Sequence, residues 1–247
     1  MIKTSTRRRG ARVFETALRG RWSGRLRAVI EAVIFDLDGV LVDSEELWDL
    51  ARREVVREHR GRWLPGSTET MQGMSSIEWS SYLRNRLGVQ LSARQISDEV
   101  VERLLVHYED GLPLVPGAAE AVQRMAGRWP LGLASSSNRP VIDAVLRRAD
   151  LGRFFQVSVS SEEVDRGKPA PDVYLEAARR LGFDSSQCGV IEDSANGIRS
   201  GVAAGMTVVA IPNPHFPPSE DALALARVVL PTLDDLTAEA VAETDSR

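Results

Sequence analysis

The chain has a single cysteine, Cys188, in 247 residues. One thiol excludes an internal disulfide framework and any zinc site built on several cysteines, and it fits a reducing, cytoplasmic setting. The three histidines, His59, His107 and His215, are scattered, which argues against a histidine zinc site. Aromatic residues make up only 6%, although five are tryptophan. No apolar run approaches the length needed to cross a bilayer, so no membrane association is expected. A glycine-rich dinucleotide signature is absent. Gly167-Lys168 is followed by proline and lacks the upstream glycine of a nucleotide-binding P-loop.

Positive charge is scarce beyond the first 29 residues. Residues 1–29 hold nine Lys/Arg against one acid, Glu15, and the remainder holds 22 basic against 34 acidic residues. A body of that sign is a poor partner for nucleic acid. The basic segment fits a targeting peptide, an anchor for an anionic partner, or a poorly packed extension, and the last is preferred. No apolar stretch follows it, which disfavours a secretory signal.

Hydrophobic residues, 43% of the chain, suffice for a substantial core. Short apolar runs at 32–35, 131–134, 157–159, 189–191, 208–211 and 228–230 read as strands buried on both faces, as in parallel sheets. Helical patterns at 118–125, 140–148, 172–181 and 195–204 separate them. The last two stop at Gly182 and Gly205, good C-terminal signals. This alternation predicts a doubly wound α/β domain. Residues 47–113 contain no convincing strand. Helices are expected over 47–59 and 76–87, and a third follows the capping box at Ser92 and runs to about Tyr108. The expected organisation is a basic extension over 1–29, a core over 30–46 and 114–247, and an all-helical insertion over 47–113.

Ligands of such sheets bind beyond the carboxyl ends of the strands, and four polar elements stand there. Asp36 and Asp38, two apart at the end of the first strand, can face one site. A carboxylate pair disfavours double ionisation without a cation, so one acid can serve as nucleophile or metal ligand while the other moves a proton. A solvated turn with incidental acids, or a simple cation site, is the alternative. Ser135-Ser136-Ser137-Asn138 follows the second strand and can bind phosphate oxygens, or merely cap the next helix. Lys168, fixed between Gly167 and Pro169, can neutralise a carboxylate–phosphate pair, or lie on a surface turn. Glu192-Asp193 ends the fourth predicted strand and offers hard oxygen ligands suited to Mg²⁺, or a helix cap.

These four elements, in this chain order, resemble the haloacid dehalogenase-like superfamily, in its branch of sugar-phosphate phosphatases and β-phosphoglucomutase. The resemblance covers residues 31 to about 240. It implies a Rossmann-like core with a helical cap, Mg²⁺ as cofactor, and a small phosphorylated metabolite as substrate. It further implies that Asp36 is the nucleophile and a metal ligand, and Asp38 the general acid/base with its carbonyl on the metal. Ser135 and the Ser136 amide would hold the phosphoryl group, with Lys168 stabilising it. Asp193 would bind metal directly, and Glu192 directly or through water. A monomer is expected, because a cap already covers the site.

Within that branch, dehalogenation is disfavoured because dehalogenases lack the second aspartate. A phosphomutase is the rival. Mutases carry a cap histidine where Trp48 stands, an arginine in the loop aligned with Gly73-Met74-Ser75-Ser76, and a lysine near Gln90. Ser76 and Gln90 carry no charge to grip a second phosphate, so a phosphatase is preferred; a shifted alignment would bring in Arg84 or Arg94. A catalytically idle phosphate-binding protein is the remaining alternative. Substrate choice falls to Trp48, Gly73, Met74, Ser75, Ser76 and Trp79, with Asn138 from the core. The two tryptophans are read first as packing residues and second as platforms for a sugar ring.

Overall fold

A computed structural model describes residues 29–71 and 74–242. Apart from Val29, the basic extension lies outside the described residues, as does Gly73. The strand β1 (Ala32–Phe35) leads into four helices, α1 (Glu45–Glu58), α2 (Ser67–Met71), α3 (Ser76–Asn85) and α4 (Ala93–Asp110). There follow α5 (Ala118–Ala126), β2 (Leu131–Ser135), α6 (Arg139–Arg148), β3 (Phe155–Ser160), α7 (Asp172–Leu181) and β4 (Cys188–Glu192). The chain ends with α8 (Ala195–Ala203), β5 (Thr207–Ala210), α9 (Glu220–Leu223), β6 (Val228–Val229) and α10 (Ala238–Ala242).

The six strands form one parallel sheet in the order β3-β2-β1-β4-β5-β6. This is the doubly wound α/β fold expected from the alternation. Strand β1 is central because it is apolar on both faces. Val33 and Phe35 enter one core cluster, and Ala32 and Ile34 the other. Phe35 pairs with Leu133 of β2 and Ile191 of β4. The chain winds outward from β1 through β2 to β3, then returns to β4 and winds the other way. The crevice at such a reversal, beyond the carboxyl ends, is where ligands bind in open α/β sheets.

Between β1 and α5 the described residues form helices joined by loops and no strand, apart from the isolated bridges Asp38–Val42 and Val42–Leu114. The N-terminus of α4 is fixed by the expected capping box, with Ser92 and Gln95 exchanging bonds between side chains and backbone. Trp79, Leu83, Ile96, Val100 and Leu104 from this segment are buried in the same core cluster as Phe35. The short helices α2, α9 and α10 escape sequence reading because four or five residues cannot display a helical period. No described helix is long and apolar enough to cross a membrane.

Candidate active site

Asp36 is the first residue beyond β1, and its amide donates to the Ile191 carbonyl at 3.0 Å, tying it to β4. Its buried carboxylate accepts a 2.5 Å bond from Lys168 Nζ, which also donates to Glu192 Oε1 at 2.7 Å. Lys168 lies over the Tyr174 ring, 4.8 Å from its centre, and the Tyr174 hydroxyl donates to the same Glu192 oxygen at 2.9 Å. The other oxygen, Oε2, accepts from the amides of Asp193 and Ser194, both at 2.9 Å, and from Ser194 Oγ at 3.0 Å. Glu192 is thus fully buried and fully hydrogen-bonded.

Two glycines make room for these acids. A Cβ on Gly39, which has φ +84°, would lie 2.0 Å from Asp193 Oδ2; a Cβ on Gly197 would lie 1.5 Å from Glu192 Oε1. Gly39 also meets the conformational need for a positive φ.

Burial dominates the electrostatics. It pushes the Asp36 carboxyl up to about 8, with Lys168 opposing and Glu192 and Asp38 adding to the rise. Asp193 is raised well above the carboxylate range by burial, then by Glu192 and Asp36. Burial alone would lower the Lys168 pKa, but Asp36 and Glu192 outweigh it and hold the ammonium above its ordinary range. One ammonium therefore faces three buried acids. Carboxylate oxygens of Asp36, Glu192 and Asp193 lie within 4.8 Å of one another. Asp193 Oδ1 is buried without a hydrogen-bond partner. An oxygen-rich, under-neutralised cluster with an unmet acceptor fits a hard divalent cation. Asp36 and Asp193 suit direct ligation. Glu192 has its oxygens committed to five protein donors and suits a supporting role.

The Asp38 carboxylate is not part of that cluster. It is held by Ser44 Oγ at 2.5 Å, Trp48 Nε1 at 3.2 Å, Ser135 Oγ at 3.3 Å and Ser137 Oγ at 2.6 Å. Its expected link to the metal runs through the backbone carbonyl alone.

Asp36, Asp38, Lys168 and Asp193 line one cavity of about 90 Å³, walled on the helical side by Trp48, Met74, Ser76 and Trp79. Several expected residues stand elsewhere. Ser135 is fully buried behind the wall, where its Oγ bonds Asp38 and accepts the Ser137 amide at 2.9 Å; Ser136 and Ser137 line the cavity instead. Asn138, expected to touch substrate, is buried as a latch. It accepts from Ser76 Oγ at 2.7 Å and donates to Ser97 Oγ at 3.2 Å and Glu162 Oε1 at 2.7 Å. Ser75 caps α3, its amide and hydroxyl both donating to Glu78 at 2.8 Å. Gln90, Arg84 and Arg94 are exposed and are not cavity residues.

Arg52 and Glu45 also line the cavity, and sequence reading missed them. The absence of a cap cation was one reason to disfavour a mutase, and Arg52 removes that reason. The signal was present: Glu45, Trp48 and Arg52 are three and four residues apart and so share one face of α1.

A family model described as haloacid dehalogenase-like hydrolase matches residues 30–205. Hexitol phosphatase B of Escherichia coli (strain K12) is 35% identical over 216 residues, spanning 85% of this chain and 96% of that protein. A phosphorylated carbohydrates phosphatase of Thermotoga maritima is 32% identical over 178 residues, 72% of this chain and 82% of that protein. The crystal structure of CbbY from Rhodobacter sphaeroides in complex with phosphate superposes with a TM-score of 0.77 at 25% identity, over 86% of this chain and 99% of that one. The chain belongs to the haloacid dehalogenase-like hydrolases.

Proposed function

We propose that this phosphoric monoester hydrolase acts on a small sugar or polyol phosphate, using Asp36 as nucleophile. The observation that carries the reading is the buried Asp36–Lys168–Glu192 chain at the carboxyl ends of β1 and β4, opening on a cavity beside Asp38. The named activities of the similar proteins, on hexitol and carbohydrate phosphates, support the substrate class.

Phosphoryl transfer needs in-line positioning and charge neutralisation. An Asp36 oxygen attacks phosphorus, and the bond from phosphorus to the leaving oxygen breaks. Asp38 gives its proton to the departing alkoxide, then takes one from the water that attacks the aspartyl phosphate, whose bond between phosphorus and the Asp36 oxygen breaks to free phosphate and the carboxylate. Lys168 stays charged throughout, holding Asp36 in line and offsetting the phosphoryl charge. Ser136 and Ser137 line the wall from which phosphate oxygens would be held. A bound Mg²⁺, held by Asp36 and Asp193 with the Asp38 carbonyl, would neutralise the incoming phosphate. Residues 47–113 act as a cap that excludes bulk water, latched to the core through Ser76 and Asn138.

Phosphate release from a panel of sugar, polyol and carboxylate-bearing phosphates, with and without Mg²⁺ and beside Asp36→Asn, tests the reading. Release that needs both Mg²⁺ and Asp36 is expected. Isomerised sugar phosphates without release would make the enzyme a mutase.

A further inference from the structure

The Arg52 guanidinium is an unpaid electrostatic debt inside the active cavity. It is only 5% exposed and lies 5.3 Å from the Trp48 ring centre and 5.4 Å from that of Trp79. Its Nε and Nη1 are buried with no hydrogen-bond partner, and so is Oε2 of Glu45, two turns earlier on the same helix. Stacking on two indoles offsets part of the cost of burying the charge, but not the unmet donors. Both residues line the cavity that holds Asp36 and Lys168.

We propose that Glu45 and Arg52 form a hydroxyl-reading pair that selects an uncharged, polyhydroxylated leaving group, such as the carbon chain of a sugar or alditol. This rests on the phosphatase reading and adds the chemistry of its distal pocket. A hydroxyl accepts and donates at once. Adjacent hydroxyls can accept from Arg52 and donate to Glu45, closing all three unmet atoms. An anionic leaving group would accept from Arg52 but meet the Glu45 carboxylate, with Asp38 and Asp49 as the further carboxylates acting on the guanidinium. An apolar leaving group would leave every polar atom unmet. The flanking Trp48 and Trp79 give the C–H faces of a polyol an apolar wall. The same pair disfavours a second phosphate, and so again favours a phosphatase over a mutase.

The test compares wild type, Arg52→Met and Glu45→Gln on sorbitol 6-phosphate, ethyl phosphate and 2-phosphoglycolate, with the melting temperature of each. Arg52→Met should lower the kcat/KM ratio of sorbitol 6-phosphate over ethyl phosphate about 10- to 100-fold. Glu45→Gln should shift the ratio of 2-phosphoglycolate over sorbitol 6-phosphate upward about tenfold, because repulsion is gone. It carries the test alone if Arg52→Met does not fold. Equal losses on all substrates, or unchanged ratios, would overturn the inference. Binding of sorbitol 6-phosphate to Asp36→Asn, followed by tryptophan fluorescence, separates the two readings. Binding that Arg52→Met weakens, with no turnover by wild type, would sink the phosphatase reading and keep this one. Absence of binding would sink the pair.

Discussion

Gly197 lies against Glu192 so closely that a Cβ would stand 1.5 Å from Oε1. The first turn of α8 and the central acid of the site are therefore packed as one unit. Gly197→Ala should displace Glu192 and, through it, Lys168, losing at least about 2 kcal/mol of stability and most activity. Gly152→Ala, where the nearest atom would be 3.8 Å away, is the matched control. Thermal melts and phosphate release check both; a soluble Gly197→Ala protein with wild-type turnover would refute the packing account.

Tyr174 donates to Glu192 Oε1 at 2.9 Å and does not line the active cavity. Tyr174→Phe leaves that oxygen with Lys168 alone. The expected cost is about 1–3 kcal/mol in stability, because the acceptor is a buried charge, with kcat lowered more than KM rises. Denaturant melts and steady-state kinetics give both numbers. An unchanged kcat would show that the phenol only fills space.

The raised carboxyls of Asp36 and Asp193 give a pH dependence with a definite sign. Their unfolded pKa is about 4, and burial lifts Asp36 to about 8 and Asp193 well upward. In metal-free protein the Asp36 contribution is therefore present in full below about pH 4 and is lost as pH rises through about 8, and the Asp193 contribution is lost in the same direction. Mg²⁺ binds the ionised carboxylates, so the rise in melting temperature that it produces should grow over the same window. Asp193→Asn should melt above wild type at pH 8 without metal and respond little to Mg²⁺. A Mg²⁺ increment that shrinks with pH would contradict the assignment.

Asn138 joins the core, through Glu162, to the helical segment, through Ser76 of α3 and Ser97 of α4. Asn138→Ala strands those partners at a cost of about 1–3 kcal/mol. If the segment 47–113 closes as a cap, the loss should appear mainly as a raised KM, about tenfold. A pure kcat effect would assign Asn138 to the chemistry instead.

Asp36, Lys168 and Asp193 were legible in sequence for a topological reason. Asp36 and Asp193 each directly follow a buried strand, and the paired parallel strands β1 and β4 bring their carboxyl ends to the same edge of the sheet. What was not legible depends on direction rather than order. Among three consecutive serines, the cavity takes Ser136 and Ser137, because Ser135 still belongs to β2 and pairs with Ser160 of β3. Asn138 faces Ser76, Ser97 and Glu162, which no local pattern reveals, whereas Ser75 and Glu78 form a capping box that the sequence does display. Gly197 reads as an ordinary helix residue until Glu192 is seen in its place. Glu45 and Arg52 belong to none of the four polar elements at the strand ends, and only the face they share with Trp48 marks them.

Asp36 as nucleophile is the claim on which the mechanism turns. Turnover of sorbitol 6-phosphate quenched with borohydride, followed by peptide mass analysis, tests it directly. An aspartyl phosphate is reduced to an alcohol, so residue 36 should appear as homoserine, dependent on substrate and Mg²⁺. An unmodified Asp36 in protein that releases phosphate in the same reaction, with no other residue reduced, would mean direct attack by water and would contradict the account.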